Sequence, residues 1–322
     1  MPHSLSDPFA KLADLNRPLR VASLGECMIE LSDLGAADGR VAMGVAGDTL
    51  NHAIYLARYC AGTSIEVDYL TALGTDQLSQ RIIEAIDAEG VGTSNIARLA
   101  EKLPGIYAIE LDDEGERSFR YWRSQSAARV MLDEGGITLP TLQSYDVLCL
   151  SAITLAILSD AVRSRLMDSC AQMQANGKVV VFDSNYRPAL WRDVQEARDV
   201  ISAMWKVTTV GLPSRDDEAA LWPDETPQQL FARLNLPETA LKDGAGGPWL
   251  WAGETLPKGS FPAAEQVVDT TSAGDAFNAG YLAGRLRGQT PRQAAQIGHR
   301  LASVVIGQKG AIIVPSVMPE LF

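Results

Sequence analysis

Histidine is scarce in this chain: three among 322 residues, His3, His52 and His299. A metal centre built on several imidazoles is therefore out of reach, and a His-activated triad has few candidates. Cysteine is almost as sparse. Cys27, Cys60, Cys149 and Cys170 form no CxxC pair and match no common metal spacing. They read as buried thiols of a protein in a reducing cytoplasm. There is no run of 18 uncharged apolar residues, so no membrane span is expected, and the opening MPHSLSDPFAKLADLNRP lacks the basic-then-apolar order of a secretory leader. Basic charge is in deficit. With 28 Lys and Arg against 40 Asp and Glu the net charge is −12, which opposes a nucleic-acid partner but leaves room for a small anion at a local Arg cluster. The P-loop GxxxxGK[ST], a GxGxxG after the first strand, GxSxG and HExxH are all missing. No repeat or low-complexity tract is found.

What remains is an ordinary globular composition, 46% apolar and 21% charged, in a chain long enough for a large core. Two domains or one large α/β domain both fit the length. Apolar runs at 20–25, 67–74, 146–151, 178–183 and 207–212 predict buried strands. Helical spacing recurs at 48–60, 77–89, 160–176, 274–286 and 291–306. Such alternation implies βαβ units and a mostly parallel sheet. The stretch 105–123 breaks the pattern: GIYAIEL and ERSFRYWR flank Asp112-Asp113-Glu114-Gly115, which predicts a β-hairpin in a small separate sheet. Alternation puts Phe119, Tyr121 and Arg123 on one face of its second strand. That face suits a lid over an anionic or hydroxylated ligand, although a plain solvated hairpin explains the same residues. Residues 1–18 are expected to be loosely ordered, and WPDETP at 222–227 reads as a loop.

Three stretches carry chemistry. In VVDTTSAGDAFNAGYLAG (267–284) a strand end meets small residues and then a helix with Asp275 in its first turn. The N–H groups of Ala273, Gly274 and Asp275 would form an anion site, strengthened by the helix dipole. A carboxylate at that place can accept a proton from an attacking hydroxyl, which suits phosphoryl transfer to an alcohol. Asp275 as a mere helix-start carboxylate is the simpler alternative. FDSNYRPALW (182–191) follows the run 178–183, so Asp183, Asn185 and Arg187 lie at the strand's carboxyl end, where ligands of open α/β sheets sit. Arg187 could clamp a carboxylate or phosphate, or the stretch could be a loop held by Asx turns. In VAGDTLNHAIYLAR (45–58), Gly47 allows close approach, Asp48 or Thr49 is expected to cap the helix, and Asn51 could bond a polyol.

Together these stretches resemble the PfkB (ribokinase-like) carbohydrate kinases. DTTSAGD (269–275) is similar to the family's DTxGAGD signature, with Ser272 in place of Gly. GECMIELS (25–32), AGDTLNHAIYLAR (46–58), YLTALGTD (69–76), LPGIYAIELDDEGERSFRYWRSQSAA (103–128), SAITLAILS (151–159) and DDEAALW (216–222) add to the likeness, which spans about 20–315 and points to the members that act on 2-keto-3-deoxygluconate. The resemblance implies a three-layer α/β/α fold over 19–322, with a small β-sheet lid from about 27–45 and 103–125. It implies ATP and Mg²⁺ as cofactors, with K⁺ as an option. It also implies Asp275 as base, the amides of Ala273, Gly274 and Asp275 as anion hole, and Arg187 as a phosphoryl contact. Gly47, Asn51, Tyr107, Tyr121, Arg123 and Arg187 would touch the sugar acid. Lys242, Gly244, Gly246, Ser272, Gly274 and Ser303 would line the nucleotide, with His299 and Ala302 near adenine. The family's NxxE is not intact here; SRDDE (214–218) leaves Asp216, Asp217 and Glu218 as candidates for Mg²⁺, Asp217 and Glu218 first among them. Asp269 and Thr271 would form a monovalent-cation loop. The implied partners are the sugar acid, ATP and a second copy of the chain through the lid sheet, without nucleic acid or membrane. A kinase for the galactonate epimer or a neutral ketose, and a non-catalytic sugar-acid sensor, remain as alternatives.

Overall fold

The apolar runs pair side by side in one eight-stranded sheet. The computed structural model describes residues 7–12, 15–35, 39–111, 117–256 and 259–321. In chain order the elements are β1 (Leu19–Leu24), β2 (Met28–Ser32), β3 (Ala42–Ala46), α1 (Asp48–Cys60), β4 (Ile65–Leu70), β5 (Ala72–Leu73), α2 (Gln77–Ala88), β6 (Ala97–Arg98), β7 (Gly105–Leu111) and β8 (Arg117–Trp122). They continue with α3 (Leu139–Gln143), β9 (Val147–Ser151), α4 (Ala152–Ile157), α5 (Asp160–Ala175), β10 (Val179–Asp183), α6 (Val194–Trp205) and β11 (Val210–Gly211). The last are α7 (Arg215–Leu221), α8 (Pro227–Leu234), β12 (Glu238–Leu241), β13 (Trp249–Trp251), β14 (Thr255–Leu256), α9 (Ala273–Leu286) and α10 (Pro291–Val305).

The main sheet runs β14-β13-β12-β11-β10-β9-β1-β4. It is parallel from β4 to β12 and antiparallel only at β13 and β14. Every residue of β9 and β10 is buried, which is why both read as unbroken apolar runs. Neighbours within a strand face opposite layers: Val21 joins the core under α1, α9 and α10, whereas Ala22 and Leu24 join the core under α4, α5 and α6. The α/β/α layering expected from the sequence is therefore present. Helix α9 lies so close to α10 that a Cβ on Gly280 would come within 2.8 Å of the Gly298 Cα, and this contact fixes where the start of α9 sits.

A second sheet, β3-β2-β7-β8, stands apart from the first, as the hairpin pattern predicts. Its turn residues, 112–116, lie outside the described residues.

Four expectations need correction. Among the described residues no strand ends just ahead of Asp269: Val267 and Val268 lie in an exposed loop between β14 and α9. The run 67–74 is not one strand: β4 ends at Leu70 and β5 pairs with β6 in a two-stranded sheet, because the chain changes sheets at the buried Thr71. The N-terminal segment is not loose throughout. Phe9 and Leu12 are buried, Asp7 pairs with Arg285 at 2.7 Å, and Arg17 with Asp146 at 2.6 Å; residues 1–6 and 13–14 lie outside the described residues. Neither Asp48 nor Thr49 caps α1. The cap is Gly47, without a side-chain hydrogen bond, and Asp48 already belongs to the first turn. All four cysteines are buried and free. Among the described residues no helix is long and apolar enough to cross a membrane.

Candidate active site

The first turns of α1 and α9 meet over the carboxyl ends of β9, β10 and β12. Residue Ser272, the cap of α9, adopts left-handed backbone with φ 65°, which turns the incoming loop sharply into the helix. Ala273, Gly274 and Asp275 then open α9; the Ala273 amide bonds the Thr270 carbonyl at 3.3 Å, whereas Gly274 and Asp275 begin the helix with amides that have no acceptor earlier in it. The Asp275 Oδ2 accepts from Asn51 Nδ2 at 2.9 Å, so α1 sets the carboxylate's orientation. Nearby, Asp48 accepts from the Ser151 hydroxyl and, at 2.9 Å, from Asn185 Nδ2. Burial, followed by the negative charge of Asp48, pushes the Asp275 carboxyl up to about 7, with Asn51 pulling down and Asp183 pushing up. A carboxylate in that range is suited to taking a proton near neutral pH.

Lys242, just past β12, ties these ends together. Its Nζ donates to Asp183 Oδ2 (2.6 Å), the Leu212 carbonyl (2.6 Å) and Asn278 Oδ1 (3.0 Å). Asn278 Nδ2 in turn donates to Asp183 Oδ2 at 2.6 Å, and the Asn185 amide to Asp183 Oδ1 at 3.0 Å. A Cβ on Gly274 would lie 3.8 Å from Lys242 Nζ, so one cation stands behind the first turn of α9. His52, also buried here, has Nδ1 2.9 Å from Ser23 Oγ, and burial pushes its pKa down to about 4; it is a neutral packing group. Asp183 and Asn185 emerge from the sequence pattern. Asn278 and Asp48 do not, because their partners come from distant strands.

The two acids considered for a metal part company. Asp217 accepts from Ser214 Oγ at 2.6 Å and lies 3.4 Å from Arg187 Nη1, in the field of Asp183 and Lys242; burial raises its pKa. Glu218 turns the other way, into a buried pair with Arg233 at 2.6 Å beside Glu225, which corrects its assignment to the metal side. Among the described residues no three His, Cys, Asp or Glu cluster as a ready metal cage. Arg187 keeps about half its side chain exposed, at 53%.

On the lid, Tyr107 hydrogen-bonds Glu30, and the rings of Tyr107, Phe119 and Tyr121 lie 5.8–6.4 Å apart. Phe119 and Tyr121 remain largely open to solvent. Arg123 stays on the side of the Tyr121 ring but is drawn inward. Strand β8 ends at Trp122, and the Arg123 guanidinium turns inward to pair with the buried Glu26, its carbon 5.8 Å from the Tyr121 ring centre. Strand alternation cannot foresee that, because the alternation stops one residue earlier.

Gly244 and Gly246, expected to flank the nucleotide, bound a single turn after Lys242, with positive φ at Gly244 and open space where its Cβ would stand. His299 Nε2 lies 2.7 Å from the Pro262 carbonyl; Ala302 and Ser303 are half-buried on α10. The Asp269 carboxylate takes the amides of Thr271 (3.0 Å) and Gly310 (2.7 Å), so it anchors the loop ahead of Ser272.

Comparison with known proteins gives the family. The family model for pfkB family carbohydrate kinases matches residues 19–317. The 2-dehydro-3-deoxygluconokinase of Escherichia coli K12 is 43% identical over 309 residues, 93% of this chain and 99% of that protein. The protein of the same name from Haemophilus influenzae is 40% identical over 305 residues, 91% and 95% of the two chains. Among solved structures, a putative ribokinase II from E. coli, in complex with ATP and Mg²⁺, shares the fold with a TM-score of 0.78 at 21% identity, covering 94% of this chain and 96% of that one. With the match running almost end to end, this chain belongs to the pfkB family of carbohydrate kinases.

Proposed function

We propose that this chain transfers the γ-phosphoryl group of ATP to the 6-hydroxyl of 2-dehydro-3-deoxy-D-gluconate. The observation that carries the reaction class is Asp275 held by Asn51 at the open start of α9, beside the amides of Ala273 and Gly274 and in front of Lys242. The choice of sugar draws on the two relatives at 40–43% identity, both named for that substrate.

In this reading the sugar hydroxyl oxygen bonds to the γ-phosphorus, the bond to the ADP oxygen breaks, and the hydroxyl proton passes to Asp275 Oδ1 or Oδ2. Amides of Ala273 and Gly274 hold the charge on the transferring group, with Lys242 adding its field from behind. Gly47 lets the sugar approach the backbone, and Asn51 both orients Asp275 and offers a polyol contact. Tyr107, Tyr121 and the guanidiniums of Arg123 and Arg187 serve the sugar acid; a guanidinium has five N–H donors, so one engaged with Glu26 or Asp217 keeps others for a ligand carboxylate. Gly244, Gly246, Ser272 and Ser303 flank the nucleotide. Mg²⁺, bound with the nucleotide, would offset phosphate charge, and the carboxylate chemistry of Asp217 at the cleft side fits its water shell. A potassium requirement would act through the loop that Asp269 and Thr271 anchor. Self-association of two copies through the lid sheet, a reducing cytoplasm as the setting and a single kinase unit over 19–322 belong to the same reading.

The test is coupled ADP release with Mg-ATP over 2-keto-3-deoxygluconate, its galactonate epimer, gluconate, fructose and ribose. Strong turnover on the first alone supports the proposal. Turnover on fructose or ribose instead keeps Asp275 as base and discards the acid-sugar assignment; silence on all five favours a non-catalytic sugar-acid sensor.

A further inference from the structure

The chain crosses between the main body and the lid four times: at 25–27, 46–48, 103–105 and 123–126. All four crossings converge on one side chain or its backbone, Glu26. A Cβ on Gly47 would stand 2.3 Å from the Glu26 carbonyl oxygen. A Cβ on Gly105 would stand 2.9 Å from Glu26 Oε1 and 3.2 Å from the Arg123 Cβ. Ser126 donates its hydroxyl to Glu26 Oε1, and the Arg123 guanidinium pairs with Oε2. A bridge between Leu103 and Ser126 closes the cluster. Glu26 is 2% exposed, and the Arg123 side chain 11%.

A buried carboxylate is costly unless paired, and a buried ion pair adds little to stability over a well-packed apolar one. Its best-supported use is to fix one arrangement among several. Here the arrangement is the angle of the lid and, with it, the place of Arg123. We propose that Glu26 is the hinge anchor of the lid and the positioning residue for Arg123, and that through Arg123 it sets the affinity for an acidic sugar. Glu26 lies in the first lid crossing, so it moves with neither sheet alone, and Arg123 lies in the last, directly after the strand that carries Phe119 and Tyr121. Holding Arg123 at that point keeps its remaining donors beside those rings. The part concerning the sugar's acid group rests on the substrate reading above; the hinge does not.

The test uses Glu26→Gln, Arg123→Met and the double variant, with the full chain. For wild type and variants, kcat is measured together with the KM values for the sugar acid (2-keto-3-deoxygluconate) and for ATP, and lid amides are followed by hydrogen exchange. Glu26→Gln is expected to raise the sugar KM at least about tenfold while leaving the ATP KM within about twofold, a loss of ground-state binding on one side of the cleft. The double variant is expected to match Arg123→Met alone, because Glu26 acts through that residue. Amides of β7 and β8 are expected to exchange at least about tenfold faster in Glu26→Gln, with β9 and β10 unchanged. Glu26→Asp is expected to recover part of both effects. Additive losses in the double variant overturn the positioning role. Unchanged lid exchange, or acceleration that spreads equally to β9 and β10, overturns the hinge. Should Arg123→Met bind the sugar acid normally, the carboxylate reading of Arg123 fails, and the exchange data alone decide the hinge.

Discussion

The start of α9 and the lid sheet differ in how finished they are. Around α9 the carboxylates are spoken for: Asp275 by Asn51, Asp48 by Ser151 and Asn185, and Asp183 by Lys242, Asn278 and Asn185. On the lid, Phe119, Tyr121 and Trp122 leave 41%, 52% and 61% of their surface to solvent, so that sheet still has contacts to make. The contrast separates two tasks. Charges that must act on a transition state are set in place beforehand by the body, where reorganising them would cost rate. Groups that recognise a ligand sit on a part that is attached at few points and completes its surface on closing. Disturbing the first should cost kcat, and disturbing the second should weaken sugar binding.

The largest expected effect is at the body. Asp275→Asn keeps size and the contact with Asn51 but removes the proton acceptor, so kcat should fall by about 10²–10⁴-fold with sugar binding retained in calorimetry. Turnover near the wild-type rate would end the base assignment. On the lid, Tyr121→Ala should raise the sugar KM by about tenfold, as expected for losing one aromatic contact, with kcat and melting temperature nearly unchanged. A kcat loss as large as that at Asp275 would erase the division between the two regions.

A finer test asks what tunes the base. Activity needs ionised Asp275, so the rate should rise with pH through its pKa, which burial and the Asp48 charge hold near 7, above the ordinary carboxylate range. Asp48→Asn removes the neighbouring negative charge, so the acid limb of the kcat profile should move to lower pH, by roughly one unit or less. A limb that stays put would mean that burial and the Asp183 charge set the value without Asp48.

The same contrast governs what could be read in the sequence. The helix start in DTTSAGD was legible because it is written in consecutive residues, and the Asp183 turn because Asp bonds the amide two residues on. The lid hairpin showed in its alternation, but the inward turn of Arg123 did not, since its partner Glu26 is far along the chain. Asp217 and Glu218 are adjacent, yet only tertiary packing against Arg233 decides which one faces the cleft. One omission had a local signal. Thr226-Pro227 with Gln229 forms the same capping box as Thr290-Pro291 with Gln293, so α8 was as readable as α10 although its first residues pass for a loop.

The smallest effect expected concerns Ser272, where the family signature has Gly. The structure accounts for the Gly: φ at this cap is 65°, a region that costs a side-chain-bearing residue about 1–3 kcal/mol. The Ser272 hydroxyl is moreover buried without a well-formed hydrogen bond, and it acts on the Asp275 carboxyl less than burial, Asp48 or Asn51 do. Ser272→Gly removes both penalties and gives back about 1 kcal/mol through the greater freedom of the unfolded chain. The net is a gain of about 1 kcal/mol, to be read as a rise in the midpoint of urea unfolding at constant m-value. Because the anion site needs backbone amides and not the hydroxyl, kcat should stay within about twofold of wild type. Ser272→Val, β-branched at the same φ, should lose stability instead. If Ser272→Gly gained nothing while kcat fell severalfold, the hydroxyl would be working on the ligand, and the body would be less finished than its hydrogen bonds make it.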